Sequence, residues 1–482
     1  MKEQMFNGAV GFDELCKSQG YEHTGDDVVA TLMKALSTTN SGPGGIAGGP
    51  LMLENLDGLM TEVLITQRHF KMLQMFPRIP SAQPYFEWNR HKGFGSRRGS
   101  LGFAEGGAPK GGISAFERNG IYNKYLGVKG GVTHQMLITG QNGGSFEDPT
   151  ARENKDRSLE LFERMERESV FGNKSLKDEN GNEVHFDGLL ALLETLNAAN
   201  VIDKEGDPLT YDDLDDTSSN LVKVGKQISV DGYTAMMSPH VTQGINKQYQ
   251  ERNVVRHNKD SAGRADYVPG FKVPGYDGQF GFINFDHSIL LEEVEDSAPL
   301  DAAISGAPAA PDSVTPLAAA NAASKMEAGT YYYSVAAFND TGESLPAVSA
   351  GEAVTAGQEV GLTIARVTNA TGYRVYRGKL ADGSDAKWIG RVPQTASGDV
   401  TFTDTNGWRT LDADGKEENG LAIIMKPDPA DLCLSQMTPL IKMPLPQVDT
   451  TFPFLLLLYC ALVLKAPERL RIYKNCGSYV PA

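Results

Sequence analysis

The chain carries almost none of the short motifs that announce chemistry. Its 482 residues hold four cysteines, Cys16, Cys433, Cys460 and Cys476, far apart and without a CxxC pair. Neither a zinc ribbon nor a disulfide framework is written in that spacing, and reduced thiols are expected. Eight histidines show no HExxH or HxxxH arrangement, which leaves no metal site to read. No GxSxG is present. Residues Gly93–Gly99 do not form GxGxxG, and Lys110 sits among glycines without the GK[ST] of a phosphate loop. Asp178–Asn182 opens like a calcium loop, but Glu183 stands where the turn glycine belongs and Leu189 where the closing glutamate belongs. No catalytic constellation, cofactor or metal is expected, and the chain does not read as an enzyme.

Positive charge is scarce too. Lys and Arg number 45 against 61 Asp and Glu, a net charge of −16. Tight, sequence-independent grip on a nucleic-acid backbone needs clustered cations, so that function is disfavoured. The first residues lack the apolar stretch of a secretory signal, and a soluble cytoplasmic product is expected. The longest apolar run, Phe452–Leu464, is 13 residues and contains Pro453. A membrane-spanning helix needs about 20, so the run reads as a buried strand or short helix.

Glycine, at 52 residues, is plentiful. The length implies two to four domains. Residues 1–50 read as an arm, with a helix over Asp26–Leu36 and a hinge over Ser41–Pro50. Leu53, Leu56, Leu59, Val63 and Leu64 follow at helical spacing in Leu51–Phe76, which Pro77 and Pro80 terminate. Tyr85–Gly127 is Gly-rich and locally basic: Arg90, Lys92, Arg97, Arg98, Lys110, Arg118 and Lys124 face only Glu87, Glu105 and Glu117. It reads as a projecting hairpin with strands near Pro84–Arg90 and Asn119–Val128. Its charge suits the acidic surface of another copy; a solvated loop without a partner is the other reading.

Asp148–Phe171 is the strongest helix pattern, with Asp148 as cap and Pro149 in the first turn. Leu159, Phe162, Met165 and Val170 form its apolar stripe, and Glu160/Arg164 and Glu163/Arg167 its i,i+4 pairs. Phe186–Leu291 reads as mixed α/β, with helices over Leu189–Leu196 and within Asp231–Tyr249 and a strand over Phe280–Phe285. The seven acidic residues of Asp203–Asp216 read as a solvated face. Residues 297–325 are a linker or a first strand. Alternating segments then follow: Tyr331 to Ala337, Val360–Ile364, Tyr373–Arg377, Lys387–Arg391 and Val400–Thr403. Their spacing suits a small β-sandwich.

In this order the pieces resemble the major capsid proteins of tailed bacteriophages with the Hong-Kong-97-type fold. The resemblance is carried by Glu54–Asp57 after the Gly-rich arm, the loop over about 85–127, and the tract Lys129–Ile138, which looks like a strand leading to the long helix. The helix itself follows, then Phe186–Leu190 with Val201–Asp203, and finally Ala461–Asn475. It covers residues of about 50–300 and 415–476. Residues of about 307–408 fall outside it; Gly329–Ala337, Asn339–Ser344 and Ala370–Arg377 resemble an immunoglobulin-like or fibronectin type III-like domain.

The resemblance implies an α+β fold: an N-terminal arm (1–80), an extended loop with flanking strands (81–140), a peripheral domain with a spine helix (141–185) and an axial domain (186–306). An inserted all-β immunoglobulin-like sandwich (307–408) and a return through the axial and peripheral domains (409–482) complete it. It implies a coat subunit without cofactor that meets itself in pentamers and hexamers of an icosahedral shell, in the virion, assembled in the host bacterial cytoplasm. The insert would face outward. Scaffolding, portal and decoration proteins are the further partners it allows, with packaged DNA nearby but not specifically bound, and no membrane. Arg90, Lys92, Arg97, Arg98, Lys110 and Arg118 are the expected intersubunit contacts. A glycan-binding protein or enzyme bearing a fibronectin module, and a non-viral nanocompartment shell, are the alternatives. Replacing 307–408 with a short glycine linker is expected to leave a foldable remainder. Recovery of that remainder only as unfolded aggregate, by circular dichroism and light scattering, would refute the insertion.

Overall fold

The apolar run near the end of the chain is a strand, Thr451–Leu464. Phe454, Leu456, Leu458 and Cys460 point inward, with half-buried residues between them; from Cys460 onward both faces are covered. Strand prevails over helix because hydrogen-bonding partners lie on both sides. Leu432–Pro444 and Lys124–Thr133 flank it antiparallel, and Arg78–Pro80 adds a parallel edge. The computed structural model describes residues 65–95, 102–108, 111–142, 148–177, 182–252, 273–292, 298–410, 418–447 and 449–479. All belong to one compact unit, Leu64–Ala482. The expected arm, its helix and hinge, and the periodic residues Leu53 to Leu64 lie outside the described residues.

The long helix, Pro149–Phe171, packs on this four-stranded sheet. Asp148 caps it, its carboxylate accepting from Thr150 N at 3.0 Å. Gly130 permits the close approach: a Cβ there would lie 2.5 Å from the Phe454 ring and 2.9 Å from Arg157. Glu160–Arg164 (2.7 Å) and Glu163–Arg167 (3.1 Å) form as expected. Each such pair contributes only about 0.2–0.5 kcal/mol, so burial of Leu161, Met165, Val170 and Phe171 holds the helix. The stripe is rotated from the expected one. Leu159 and Phe162 sit at its margin and Leu161 at its centre, because sheet and neighbouring segments pack on adjoining sides of the helix.

A second, six-stranded sheet runs in the order Val201–Asp203, Arg471–Cys476, Gly420–Met425, Tyr233–Met237, Gly281–His287, Gly275–Gly278. Side-chain alternation splits it between two cores. Met236, Leu421, Ile423 and Ile472 join the core of the long helix. Ala235, Met237, Ala422, Ile424 and Tyr473 join one containing Leu214 and Leu221 of the helix Tyr211–Lys223 and Val241 and Ile245 of the helix Pro239–Arg252.

Several boundaries differ from expectation. The hairpin's second strand ends at Tyr122, not Val128. Buried Asn123 turns the chain, its N–H donating to Pro84 O at 2.7 Å, and Lys124 onward joins the four-stranded sheet. Lys129–Ile138 is not one strand: Thr133 accepts from Met136 N at 3.4 Å and starts a helix, His134–Gln141. Before Pro77 there is a 3-10 turn, Gln67–His69, then a short helix, Lys71–Met75, broken at Phe70. The acidic run is partly structural. Asp213 closes a capping box with Thr210 and binds Lys204 at 3.0 Å, while Asp203 binds Asn475.

Between Gly281–His287 and Gly420–Met425 in sequence lie two facing antiparallel sheets. One holds Gly329–Phe338, Ala347–Val348, Glu352–Val354, Gly372–Gly378 and Lys387–Pro393; the other holds Val314–Ala320, Gln358–Ile364 and Val400–Asp404. Tyr331, Tyr333, Val335 and Ala337 pack inward against Val360, Leu362, Ile364 and Val400, as the alternation predicts. A buried clip spans the two sheets. Arg377 donates to Asp404 (2.8 Å) and Asn406 (2.7 Å), and Tyr333 OH donates to Asp404 (3.0 Å).

This sandwich is braced against the rest of the unit. Phe171, at the end of the long helix, meets Trp388 and Trp408 edge-on at 5.9 and 5.7 Å, and the two tryptophans meet at 5.6 Å. Segments leading in and out lie side by side, Lys325 N–H donating to Thr405 O at 3.0 Å. Asn475 holds the outgoing segment: it accepts from Arg409 N (2.8 Å) and donates to Asp203 (2.8 Å) and Gly407 O (3.1 Å). Removing one partner of a buried ion pair costs about 3–5 kcal/mol, because the other charge stays buried. Asp404→Ala is therefore expected to destabilise by that amount in urea unfolding, whereas Asp399→Ala, at an exposed position, changes little.

Candidate assembly surface

The projecting hairpin pairs Tyr85–Gly93 with Ala115–Tyr122, from Tyr85 opposite Tyr122 to Gly93 opposite Ala115. Among the described residues these strands form a two-stranded sheet of their own, and neither contains a buried residue. An isolated hairpin of this kind is marginal in water. Its root is tied down by Asn123, whose Nδ2 donates to Gln83 O at 3.2 Å. Its inner face carries Phe86, Trp88 and Arg90. Phe86 lies under Lys465 Nζ at 5.8 Å, and Arg90 pairs with Glu468.

The outer face is aromatic. Tyr85 and Tyr122 meet at 4.6 Å, His91 stacks on Phe116 at 4.7 Å, and Phe94 contacts His91 edge-on at 5.3 Å. Phe94, Phe116 and Ile113 are 85%, 73% and 86% exposed. Burying one such side chain contributes about 1.5–3 kcal/mol. Large apolar groups gathered on an exposed strand pair are characteristic of a surface that becomes covered.

The described hairpin cations have partners within this chain. Arg90 is engaged by Glu468 of the same chain. Lys92 binds Glu117 across the hairpin at 2.6 Å and holds its carboxyl below the usual range. Arg118 donates to Asn89 at 3.2 Å and stands 3.7 Å from Glu87. Arg97, Arg98 and Lys110 lie outside the described residues. The four described cations, including Lys124 beside Glu183 at 3.8 Å, thus have partners within the chain, and the residues that charge counting overlooked are Tyr85, His91, Ile113 and Tyr122. Their signal was present for three of them: Tyr85, His91 and Tyr122, with Phe116, fall on the strand face opposite to Phe86 and Trp88, while Ile113 lies just before the second strand.

A second exposed region lies at the end of the four-stranded sheet. The helix His134–Gln141 has no buried residue and exposes Met136 and Ile138. Ile441, Met443 and Phe452 of the neighbouring strands are exposed as well. No cluster of His, Cys, Asp and Glu able to hold a metal occurs among the described residues. The three described cysteines are buried thiols, with burial pushing Cys460 up to about 12.

The sequence pattern of the SU10 major capsid protein matches residues 39–297, more than half of the chain. The chain belongs to the SU10 major capsid protein family. It is accordingly a subunit of a tailed-phage capsid shell and a component of the virion. The major capsid proteins of Staphylococcus phages S25-3 and K are each 23% identical over 450 residues, 89% of this chain and 91% of theirs. A protein of Enterococcus phage phiEF24C is 28% identical over 368 residues, 71% of this chain and 73% of its own. Among solved structures, the capsid of Myoviridae phage XM1 aligns over 90% of this chain and all of its own at 9% identity and a TM-score of 0.43. That overlap is too loose to carry an argument.

Exposed ion pairs contribute about 0–1 kcal/mol. Arg90→Glu, which sets two carboxylates against each other, is expected to raise hydrogen exchange in Tyr85–Gly93 and Ala115–Tyr122 while leaving the unfolding midpoint of the subunit almost unchanged.

Proposed function

We propose that the chain is a Hong-Kong-97-type coat subunit whose hairpin is the extended loop that laps a neighbouring copy. The long helix Pro149–Phe171 is the spine of its peripheral domain, and the six-stranded sheet is the body of its axial domain. Subunits meet as pentamers and hexamers and close an icosahedral head in the host cytoplasm. The observation that carries this reading is the hairpin's outer face: an aromatic ladder, half-detached from the body, with Phe94, Ile113 and Phe116 in solvent. Many small overlaps of that kind sum to a stable shell by the arithmetic of multivalency. Arg97, Arg98 and Lys110 belong to the same loop in sequence and steer it, while its tip aromatics supply the burial. The net charge of −16 keeps the inner wall from adhering to packed DNA.

The sandwich is, in this proposal, an immunoglobulin-like insertion facing outward. What supports it is topology. Gly281–His287 and Gly420–Met425, the strands before and after it in sequence, both pair with Tyr233–Met237 in one sheet, and the family match ends at residue 297, before the first sandwich strand.

The test is assembly of two double variants. Phe94→Ser with Phe116→Ser is expected to leave the subunit folded, with a stability change under about 1 kcal/mol for exposed sites, and to abolish closed shells in electron micrographs. Arg97→Glu with Arg98→Glu is expected to slow assembly and make it more sensitive to salt. Normal shells from both variants would remove the hairpin from the interface.

A further inference from the structure

Glu166, on the inward side of the long helix, is 1% exposed. Its Oε1 accepts from Met72 N at 3.3 Å and from Ser288 Oγ at 3.4 Å. Among the described residues its Oε2 has no hydrogen-bond partner at ordinary distance, though the Leu73 backbone N–H also faces the carboxyl. The groups that close over it come from two segments far apart in sequence. One is the short helix Lys71–Met75, the first helix of the described chain; the other is the turn after the strand Gly281–His287. Both surround the carboxyl with apolar side chains: Phe70, Met72, Leu73, Leu290 and Leu291 are all buried.

Among the described residues no countercharge reaches it. Lys71 is engaged by Asp286, and His287 beside it is exposed. On its own helix Arg167 pairs with Glu163 at 3.1 Å, and Glu168 with His185 at 2.9 Å. The nearby central strand, Gly420–Met425, carries no charged side chain. A neutral carboxyl in such a place leaves one hydroxyl unpaired. An ionised one leaves a charge with half its acceptor capacity unmet, which is far costlier.

We propose that Glu166 is a proton-controlled latch: protonated, it locks the segment Phe70–Phe76 onto the long helix, and ionised, it lets that segment open to admit water to Oε2. Burial pushes the Glu166 carboxyl up to about 7, from the range of about 4.3 that it has in an open chain. The closed form therefore binds a proton that the open form has lost between these two values. Closure is fully favoured below the lower value and loses its advantage as pH rises to the upper one. Above that the two forms are equally ionised and the population is flat.

The test is hydrogen exchange of the purified full-length chain, read at the amides of Met72, Leu73 and Phe76 and corrected for intrinsic rate. Protection is expected to fall by up to tenfold per pH unit between pH 5 and 7 and to level off by pH 8. In Glu166→Gln, which keeps the shape of the protonated form, it should stay constant across that range. The amides of Ile423 and Ile424, in the central strand, serve as the internal control. Constant protection in the wild type, or the same slope in the variant, would overturn the proposal. Should the variant not fold, the wild type alone decides through infrared spectroscopy with Glu166 isotope-edited. A protonated carboxyl band present at pH 6 and gone by pH 9 supports the latch, and ionisation complete by pH 6 refutes it. The measurement is made on the unassembled subunit, so its outcome is independent of the interface reading.

Discussion

Everything in the body of this subunit depends on pairing between its last strands and segments hundreds of residues earlier. Gly420–Met425 and Arg471–Cys476 occupy the middle of the six-stranded sheet, and Leu432–Pro444 and Thr451–Leu464 the middle of the four-stranded one. Without them Val201–Asp203 and Lys124–Thr133 have no hydrogen-bonding neighbour. Closing loops of that length costs entropy before any contact returns it, and such pairing is slow. The body cannot form until residues 420–476 are available. This delay suits a protein whose exposed surfaces must not meet other copies while it is half-made.

The two projections from this body are attached by opposite physics. The sandwich is braced at several points: an aromatic bracket of Phe171, Trp388 and Trp408, and the hydrogen bonds of Asn475 to Arg409 and Gly407. Its orientation is set by packing, so it behaves as a fixed extension of the body. The hairpin is held at its root by Asn123 and along one face by Arg90 and Phe86, while its other face stays in water. Stability there is left to be completed by whatever covers Phe94, Ile113 and Phe116. In the proposed shell the two attachments would serve different ends: the sandwich keeps a fixed orientation, and the hairpin can adjust to a neighbouring copy.

Charge explains less of this than composition suggests. Over Tyr85–Gly127 seven cations face three carboxylates, yet Lys92 and Arg118 find Glu117, Asn89 and Glu87 within the hairpin, and Arg90 finds Glu468 outside it. A linear count registers net charge but not which side chains a strand register brings opposite one another. The aromatic ladder escapes linear reading for the same reason. Tyr85 and Tyr122, 37 positions apart in sequence, become a contact pair because Asn123 turns the chain at that point.

Local chemistry alone determined the elements whose stability is local. Asp148 and Pro149 start the long helix, Tyr331 to Ala337 alternate as a strand must, and the turn residues between the sandwich segments place its strands to within a few positions. Tertiary structure decided what depends on a partner: that Phe452–Leu464 is strand and not helix, that the hairpin ends at Tyr122, that Leu161 and not Leu159 faces the core, and that a glutamate on a charged helix is buried. The physical reason is common to all four. A backbone cap or a side-chain period is satisfied within a few residues, whereas strand pairing, helix rotation and burial are settled by what arrives from the far end of the chain.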